Sequence, residues 1–247
     1  MTDRASAIPV GQTFLSAFSR PSIRALALST ILALGTPAFA ADAPAAKPDA
    51  PALAPGPNVG TAKPLGDKPA DVPLQPVFNG KDLTGWTPKD ATLWSVKDGV
   101  LVGESTDPKT KGDTMRLAAP TPANFAFEAD VRYPDNIDSG VMWGKPETQV
   151  QFGVSRSLKT DMSACLYYGG KYPEPARAKV AGILKLGEWN HWRIEHKDGN
   201  VKVWLNGQHV LNWDAPKPSD PAPIGIQIHG GVVMKVEFKN VKLGELK

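Results

Sequence analysis

The segment from Asp138 to Phe152 reads DSGVMWGKPETQVQF, and its second half alternates between polar and apolar side chains. Val150 and Phe152 fall on one phase, whereas Gln149 and Gln151 fall on the other. Successive side chains of a β-strand point to opposite faces. The alternation therefore predicts a strand with one buried face and one polar face.

A segment near the C-terminus repeats this pattern. Ile224, Ile226 and Ile228 share one phase, and Gln227 and His229 share the other. An ordinary solvated strand face carries Lys, Thr or Glu, whereas amides and an imidazole both donate and accept hydrogen bonds. The two segments together predict a polar face that binds a neutral, hydroxyl-rich ligand.

The remaining signals along the chain are those of an all-β protein. Short apolar runs are separated by dipeptides that favour two-residue hairpin turns. Three of these are Asp98-Gly99, Asp198-Gly199 and Asn206-Gly207. The run from Phe125 to Tyr133 alternates over its whole length and predicts a long half-buried strand. Many short strands with frequent turns predict a sandwich of two antiparallel sheets, such as a jelly roll.

Composition limits the classes of protein that fit. The chain has 247 residues and a formal net charge of +3, which is enough length for one sandwich domain with appendages. Removal of the N-terminal segment described next would leave about +1, so nothing indicates a nucleic-acid partner. Cys165 is the one cysteine, which excludes an internal disulfide.

Residues 1–40 are predicted to be a secretory signal peptide. Arg20 and Arg24 precede an apolar run over residues 25–34, and Ala38-Phe39-Ala40 matches the small-x-small pattern of a cleavage site. The apolar run is too short to span a bilayer. The sequence therefore predicts an exported protein, periplasmic or secreted, without a membrane span.

Residues 41–72 are predicted to be an Ala- and Pro-rich disordered linker. They contain almost no large apolar side chain, so burial cannot offset the entropy lost on ordering. The folded domain is then predicted to span residues 73–247.

Six phrases of this domain, in their order and spacing, resemble the 3-keto-disaccharide hydrolase family over about residues 74–245. They are Val77–Trp86 (VFNGKDLTGW), Trp94–Leu101 (WSVKDGVL), Asp138–Val141 (DSGV), Gly187–Asn190 (GEWN), Val203–Gly207 (VWLNG) and Gly225–Gly230 (GIQIHG). The resemblance implies a concanavalin-like, lectin-like jelly roll. It also implies an exported bacterial protein that cleaves 3-keto-glycosides by 1,2-elimination to a 2-hydroxyglucal, followed by hydration.

The chain departs from the family pattern at two places. Family members often read Gly-Val-aromatic-aromatic-Arg, and Gly144 stands here at the arginine position. Members then often read Tyr-Glu-Val-Gln-Ile-x-Asp, a motif that aligns with its glutamate either on Glu147 or on Gln149. The second alignment keeps the apolar phase, which a buried face specifies strongly, and is preferred. The catalytic role of the glutamate would then pass to Glu147 or Asp138.

Elimination from a 3-keto-glycoside needs a base for the C2 proton, a group that stabilises the enolate, and an acid for the departing oxygen. The predicted catalytic residues on the polar face are Glu147, His229 and Asp138. An imidazole suits acid or base chemistry at neutral pH. The alternatives are a structural role for His229 and a turn-capping role for Asp138.

The predicted substrate-binding residues are amides, one aromatic and two cations: Gln149, Gln151, Gln227, Tyr168, Lys171 and Arg132. Tyr168, or its neighbour Tyr167, would stack on a sugar ring or donate to it. Lys171 or Arg132 would stabilise an oxyanion, although Arg132 has nearby acids to pair with. No cofactor is certain. A divalent metal held by Asp138, Glu147 and His229 is an open alternative, without tight ligand spacing to mark it.

Two functional classes follow from the polar face. One is an enzyme that cleaves 3-keto-sugars, and the other is a non-catalytic carbohydrate-binding module of the same fold. Both take a small carbohydrate as partner, and the sequence leaves the oligomeric state open.

Overall fold

The computed structural model describes residues 60–134, 136–172, 180–220 and 222–247. The predicted signal peptide and residues 41–59 of the predicted linker lie outside these ranges. Within them, regular structure consists of β-strands and a single short 3-10 helix, Ala91–Leu93. No helix in the described ranges has the length and hydropathy needed to cross a bilayer.

The strands are numbered in chain order. They are β1 (Thr61–Ala62), β2 (Gln75–Pro76), β3 (Trp86–Thr87), β4 (Trp94–Lys97), β5 (Val100–Ser105), β6 (Gly112–Leu117), β7 (Phe125–Arg132), β8 (Asp138–Trp143), β9 (Thr148–Ser155), β10 (Thr160–Asp161), β11 (Leu166–Tyr168), β12 (Asn190–Lys197), β13 (Asn200–Leu205), β14 (Gln208–Asp214), β15 (Gly225–His229) and β16 (Met234–Glu245).

Two antiparallel sheets contain all of these strands. The first sheet has the order β1-β14-β13-β12-β7-β16-β5-β4, with β2 also paired to β16. The second sheet has the order β10-β9-β8-β15-β6-β3, with β11 also paired to β9. Every strand pair in the described residues is antiparallel. The predicted all-β sandwich is confirmed.

The hairpin dipeptides adopt the conformation that their composition predicts. Asp98 and Gly99 have φ angles of 51° and 79°, so both central residues of the β4–β5 turn are left-handed. Both central residues also have positive φ angles in the β12–β13 turn and in the β13–β14 turn. Two-residue turns of this kind match the right-handed twist of the strands that they join.

Aromatic side chains of both sheets meet in the core between them. The ring centroid of Phe152 on β9 lies 4.4 Å from that of Trp192 on β12 and 6.4 Å from that of Phe238 on β16. Val150, in phase with Phe152, is also fully buried. This packing turns the other phase of β9, Gln149 and Gln151, away from the first sheet.

Residues 60–72 differ from the disordered linker that their composition predicts. Thr61–Ala62 adds strand β1 to the edge of the first sheet. Further along, the Ala70 backbone N–H donates to Glu195 Oε1 at 2.8 Å, and Ala70 O accepts from Arg193 Nη2 at 2.7 Å. The expectation of disorder was based on the small apolar area that this segment can bury. The segment is held instead by hydrogen bonds between its backbone and buried polar side chains of the sheet.

His196 is buried at one end of the sandwich and makes stability depend on pH. Its Nδ1 donates to Ala123 O at 2.9 Å, its ring packs near Phe125 and Trp143, and burial lowers the pKa of the imidazole. Below about pH 6.5 the unfolded chain protonates this group before the folded chain does. We therefore expect the free energy of unfolding to fall with acidification by up to about 1.4 kcal/mol per pH unit.

Urea unfolding of a His196→Gln variant, measured at about pH 7.5 and about pH 5.5, checks this expectation. The glutamine can still donate to Ala123 O but does not titrate, so the variant should lose less stability on acidification than the native chain. His191→Gln, which replaces an imidazole whose side chain is 49% exposed, serves as the control. Equal acid sensitivity in the native chain and His196→Gln would show that His196 is not responsible.

Candidate functional site

The outer face of the second sheet carries the polar phase of three neighbouring strands, β9, β8 and β15. In the strand register, Gly140 of β8 lies between Gln151 of β9 and Gln227 of β15. A Cβ atom at Gly140 would come within 2.4 Å of Gln149 Nε2 and 2.5 Å of Val150 O. The missing side chain on the central strand therefore provides the space in which the amides of the flanking strands meet.

A cleft of about 350 Å³ lies over these amides. It is lined by Asp138, Met142, Glu147, Gln149, Gln151, Ser155, Arg156, Ser157, Tyr167, Tyr172, Gln227 and His229. This volume lies near the lower end of the range for small-molecule sites, roughly 300–1,000 Å³, and suits one sugar unit. All three predicted catalytic residues and the three predicted glutamines lie together in this cleft.

The three glutamines form one hydrogen-bonded network. Gln149 Nε2 donates to Gln151 Oε1 at 2.9 Å and to Gln227 Oε1 at 3.1 Å, and Gln151 Nε2 donates to Asp138 Oδ1 at 2.8 Å. Because an ionised carboxylate only accepts, Asp138 sets the orientation of Gln151, and Gln151 in turn sets that of Gln149. The Nε2 group of Gln227 has no partner among the described residues and is the donor left for a ligand.

Asp138 is buried with both carboxylate oxygens occupied. Oδ1 accepts from Gln151, and Oδ2 accepts from the Arg156 backbone N–H at 2.6 Å. His229 Nε2 lies 4.0 Å from Asp138 Oδ2. His229 Nδ1 lies 2.7 Å from Gly230 O and must donate to it, because a carbonyl oxygen only accepts. In the neutral imidazole, the lone pair is then on Nε2, beside the Asp138 carboxylate.

Glu147 lies just before β9 and is paired with a cation that the sequence analysis did not identify. Its Oε1 accepts from Arg116 Nη2 at 3.0 Å, and Arg116 Nη1 donates to Pro223 O at 2.7 Å. Arg116 shares the outward phase of β6, opposite the buried Met115 and Leu117. The alternation along β6 could have assigned Arg116 to a polar face from sequence alone. Its pairing with Glu147 could not be predicted, because it arises only when β6 joins the second sheet.

Two tyrosines border the amide network. Tyr167 on β11 is paired in register with Gln149, and Tyr172 donates from its hydroxyl to Gln151 Oε1 at 3.1 Å. Their rings meet edge to face, with centroids 4.9 Å apart. Tyr168, which sequence analysis selected, has the opposite phase on β11 and pairs with Thr148, outside the cleft lining. A one-residue difference in strand phase therefore decides which tyrosine of β11 faces the cleft.

The phenols remain protonated donors at neutral pH. Burial raises the pKa of Tyr167, and the nearby carboxylates of Glu147 and Asp138 raise it further. Burial also raises the pKa of Tyr172. A protonated phenol beside the cleft can donate to a sugar oxygen or to an oxyanion.

Arg132 and Lys171 lie outside the cleft, contrary to the prediction that they bind substrate. Arg132 is on β7 of the first sheet, where its Nε donates to Glu237 at 2.6 Å and its guanidinium lies 4.6 Å from the Trp189 ring centroid. Lys171 is exposed in the turn after β11, where its backbone pairs with Tyr168. Alternation along a strand shows which residues are polar but not which of the two sheets the strand joins. Arg132 was therefore predicted to lie beside the cleft, although its strand belongs to the other sheet.

The proposed metal ligands do not form a cation site in the described residues. Asp138 and His229 approach each other, but Glu147 is paired with Arg116 instead. No group of three or more His, Cys, Asp or Glu side chains within the described ranges has the arrangement of a metal site.

Substitution of Gly140 by alanine tests whether the amide network needs the space that a glycine leaves on β8. We expect Gly140→Ala to displace Gln149 and to lower the free energy of unfolding by about 1–3 kcal/mol, as other overpacked sites do. It should also weaken sugar binding, measured by calorimetry, because the amide network is displaced. Gly244→Ala on β16 of the first sheet is the control, since its Cβ would come within 2.4 Å of Pro73 O, away from the cleft. Unaltered binding in Gly140→Ala would contradict the role given to this glycine.

These features define a class of protein, a concanavalin-like jelly roll with an amide-lined cleft suited to a hydroxyl-rich ligand. The chain belongs to the 3-keto-alpha-glucoside-1,2-lyase-like domain family, whose profile matches residues 73–244. The predicted family is thereby confirmed, and membership supports a carbohydrate-related function.

Solved structures with the same fold include two candidate glycosyl hydrolases from Parabacteroides distasonis. One is 24% identical with a TM-score of 0.50, and the match covers 70% of this chain and 94% of that chain. The other is 21% identical with a TM-score of 0.51, and the match covers 70% of this chain and 100% of that chain. At this identity the likeness establishes the fold. A comparison with curated protein sequences finds no match to this chain.

Proposed function

We propose that this protein cleaves 3-keto-glycosides by 1,2-elimination and then hydrates the resulting 2-hydroxyglucal, with net hydrolysis. The observation that carries the proposal is the arrangement of His229. Its Nδ1 donates to Gly230 O, and its Nε2 lies 4.0 Å from the buried carboxylate of Asp138, in the wall of a cleft lined by amides. A base of this kind, beside a neutral hydrogen-bonding surface, is what the C2 proton of a keto-sugar requires.

His229 acts first as the base. Its Nε2 removes the C2 proton, which the neighbouring ketone acidifies, and the negative charge moves to the C3 oxygen as an enolate. When the C3 carbonyl re-forms, a double bond forms between C1 and C2, and the bond from C1 to the leaving oxygen breaks. The leaving oxygen takes up the proton that His229 holds. The Asp138 carboxylate stabilises the transient imidazolium.

The enolate needs donors that do not themselves ionise. The Tyr167 phenol and the Nε2 group of Gln227 fit this role, since the first stays protonated at neutral pH and the second has no other partner in the described residues. Glu147, held by Arg116, accepts from sugar hydroxyls and so positions the ring. Hydration reverses the proton steps, because a water oxygen adds to C1 and a proton returns to C2.

A non-catalytic carbohydrate-binding module is the second candidate function. One observation favours it: in the phase-preserving alignment, Gln149 stands where the family motif has glutamate, and here it is the centre of the amide network. A network of neutral amides is sufficient to bind sugar hydroxyls without any proton transfer.

Turnover assays distinguish the two functions. The purified protein is incubated with 3-keto-trehalose, 3-keto-sucrose and a chromogenic 3-keto-glucoside, and the transient glucal is followed by its absorbance. Release of the leaving group with a glucal intermediate supports the lyase. Sugar binding by calorimetry without release would reject the lyase in favour of the binding module.

We also propose that the protein acts after export, in the periplasm or outside the cell. The charged and apolar pattern of residues 20–40 supports this location. N-terminal sequencing of the protein recovered from the periplasm or medium should begin at Ala41. Recovery of the intact N-terminus in the cytoplasm would contradict export.

A further inference from the structure

The cleft continues past His229 into a second lobe. The part already described, here called the amide lobe, shares Gln227 and His229 with a neighbouring depression that is also about 350 Å³ in volume. The neighbouring depression, here called the lysine lobe, is lined by Lys89, Lys111, Gly112, Asp113, Thr114, Gln227, Ile228, His229 and Gly230. His229 therefore stands at the boundary between two spaces, each large enough for one sugar unit.

The two lobes differ in charge. In the amide lobe, the negative charge of Glu147 is balanced by Arg116, and Asp138 is held by neutral donors from Gln151 and the Arg156 backbone. The Arg156 guanidinium also lines this lobe and donates to Gly231 O, so the two carboxylates are matched in number by two guanidinium groups. Most of the remaining lining is amide or hydroxyl. The amide lobe is thus suited to a neutral sugar.

The lysine lobe has two ammonium groups without a carboxylate partner. Lys89 and Lys111 are exposed, and neither forms an ion pair with any of the described residues. Asp113 lies in the same lobe but is buried, and its Oδ2 accepts from three N–H groups: those of the Lys89 and Asp90 backbones at 3.1 and 3.3 Å, and Trp94 Nε1 at 2.9 Å. Its Oδ1 is buried without a hydrogen-bond partner among the described residues. One carboxylate stands against two ammonium groups, so the formal charge of the lobe is positive.

In a 1,2-elimination, the base contacts C2, next to the bond that breaks at C1. The base therefore lies at the boundary between the keto-sugar and its leaving group. Since His229 is common to both lobes, the keto-sugar belongs in the amide lobe and the leaving group in the lysine lobe.

On the basis of the proposed function, we infer that the lysine lobe is a leaving-group subsite for an acidic sugar. The substrate class is then a 3-keto-glycoside whose leaving group carries a carboxylate, with Lys89 and Lys111 as the residues that determine this preference. Two ammonium groups attract a carboxylate through the solvent, and this attraction weakens as salt screens it.

Two 3-keto-glucosides with the same linkage, one releasing glucose and one releasing glucuronate, test the inference. We expect kcat/KM to be about tenfold higher for the glucuronate substrate at about 20 mM salt, and the preference to shrink at about 500 mM salt. The double variant Lys89→Gln/Lys111→Gln should lose the preference by a fall in kcat/KM for the glucuronate substrate alone. Lys159→Gln is the matched control, because Lys159 lines a different depression that contains neither Gln227 nor His229, and its loss should leave the preference unchanged.

Calorimetry with free glucuronate and free glucose measures the affinity of the lysine lobe for each sugar in the absence of turnover. Glucuronate should bind more tightly than glucose to the native protein, and the double variant should bind the two equally. Turnover without a preference for the acidic leaving group, or a preference that survives in the double variant, would overturn the subsite and leave the proposed function intact. Absence of turnover on both substrates would reject the proposed function, while calorimetry would still decide whether the lysines bind an acidic sugar.

Discussion

Replacement of His229 by glutamine is expected, on the proposed function, to lower kcat/KM for a 3-keto-glucoside by about 10²- to 10⁴-fold, the usual contribution of a general base. Glutamine keeps a polar side chain that can donate to Gly230 O, but it has no lone pair basic enough to remove the C2 proton. Affinity for an unreactive sugar, measured by calorimetry, should change little, because the amides of Gln149, Gln151 and Gln227 remain in place. The loss should therefore fall on kcat rather than on KM.

His191→Gln is the control for this experiment. His191 is on β12 of the first sheet and pairs with Asp130 at 3.0 Å, outside the cleft. This variant should retain full activity. A His229→Gln protein with nearly native kcat/KM would remove His229 from the mechanism and would leave the elimination without its proposed base.

Replacement of Arg193 by alanine lowers the free energy of unfolding by about 3–5 kcal/mol, the range for loss of one partner from a buried ion pair. The Arg193 side chain is 6% exposed, and its guanidinium donates to Glu128 Oε1 at 2.7 Å, to Glu195 Oε1 at 2.9 Å and to Ala70 O at 2.7 Å. The variant would leave two largely buried carboxylates close together without a cation. Urea unfolding monitored by tryptophan fluorescence measures the effect.

The same substitution should release the segment of residues 60–72 from the first sheet. Ala70 loses its bond to Arg193, and Glu195, which accepts from the Ala70 backbone, loses the cation that orients it. We expect limited proteolysis to cut within residues 60–72 faster in the Arg193→Ala variant than in the native chain.

Lys145→Ala is the matched control for Arg193. It breaks the ion pair of Lys145 with Asp220, whose side chains are 71% and 49% exposed, and pairs of this kind contribute about 0–1 kcal/mol. If both variants lost a similar amount of unfolding free energy, burial of the ion pairs of Arg193 with Glu128 and Glu195 would have no special effect on stability.

Strand periodicity made much of the site predictable. The apolar residues of these strands, such as Phe152 and Ile228, recur every second position and are buried in the core. The residues between them could therefore be assigned to a polar face, and these are Gln149, Gln151, Gln227 and His229. The same reasoning predicted the hairpins, because Asp-Gly and Asn-Gly adopt left-handed φ angles readily. These are local properties, and each can be judged within a few residues of the chain.

Other parts of the site depend on contacts between distant segments. Arg116 reaches Glu147 across 31 positions of sequence because β6 and the start of β9 lie at the same end of the second sheet. Tyr172 replaces the predicted Tyr168 as a neighbour of the amides, and Arg132 proves to belong to the other sheet. The period of a strand is the same in either sheet, so sequence alone could not assign these residues.

The sequence by itself determined that this is an all-β protein with an amide-rich face, because alternation and turn chemistry act between near neighbours. Only the tertiary structure decided that residues 60–72 lie on the first sheet and that His229 separates a neutral lobe from a cationic one. Those features depend on which strands become neighbours and on where buried polar groups find partners. Both are settled by the packing of the whole chain, since hydrogen bonds and charges act through space rather than along the sequence.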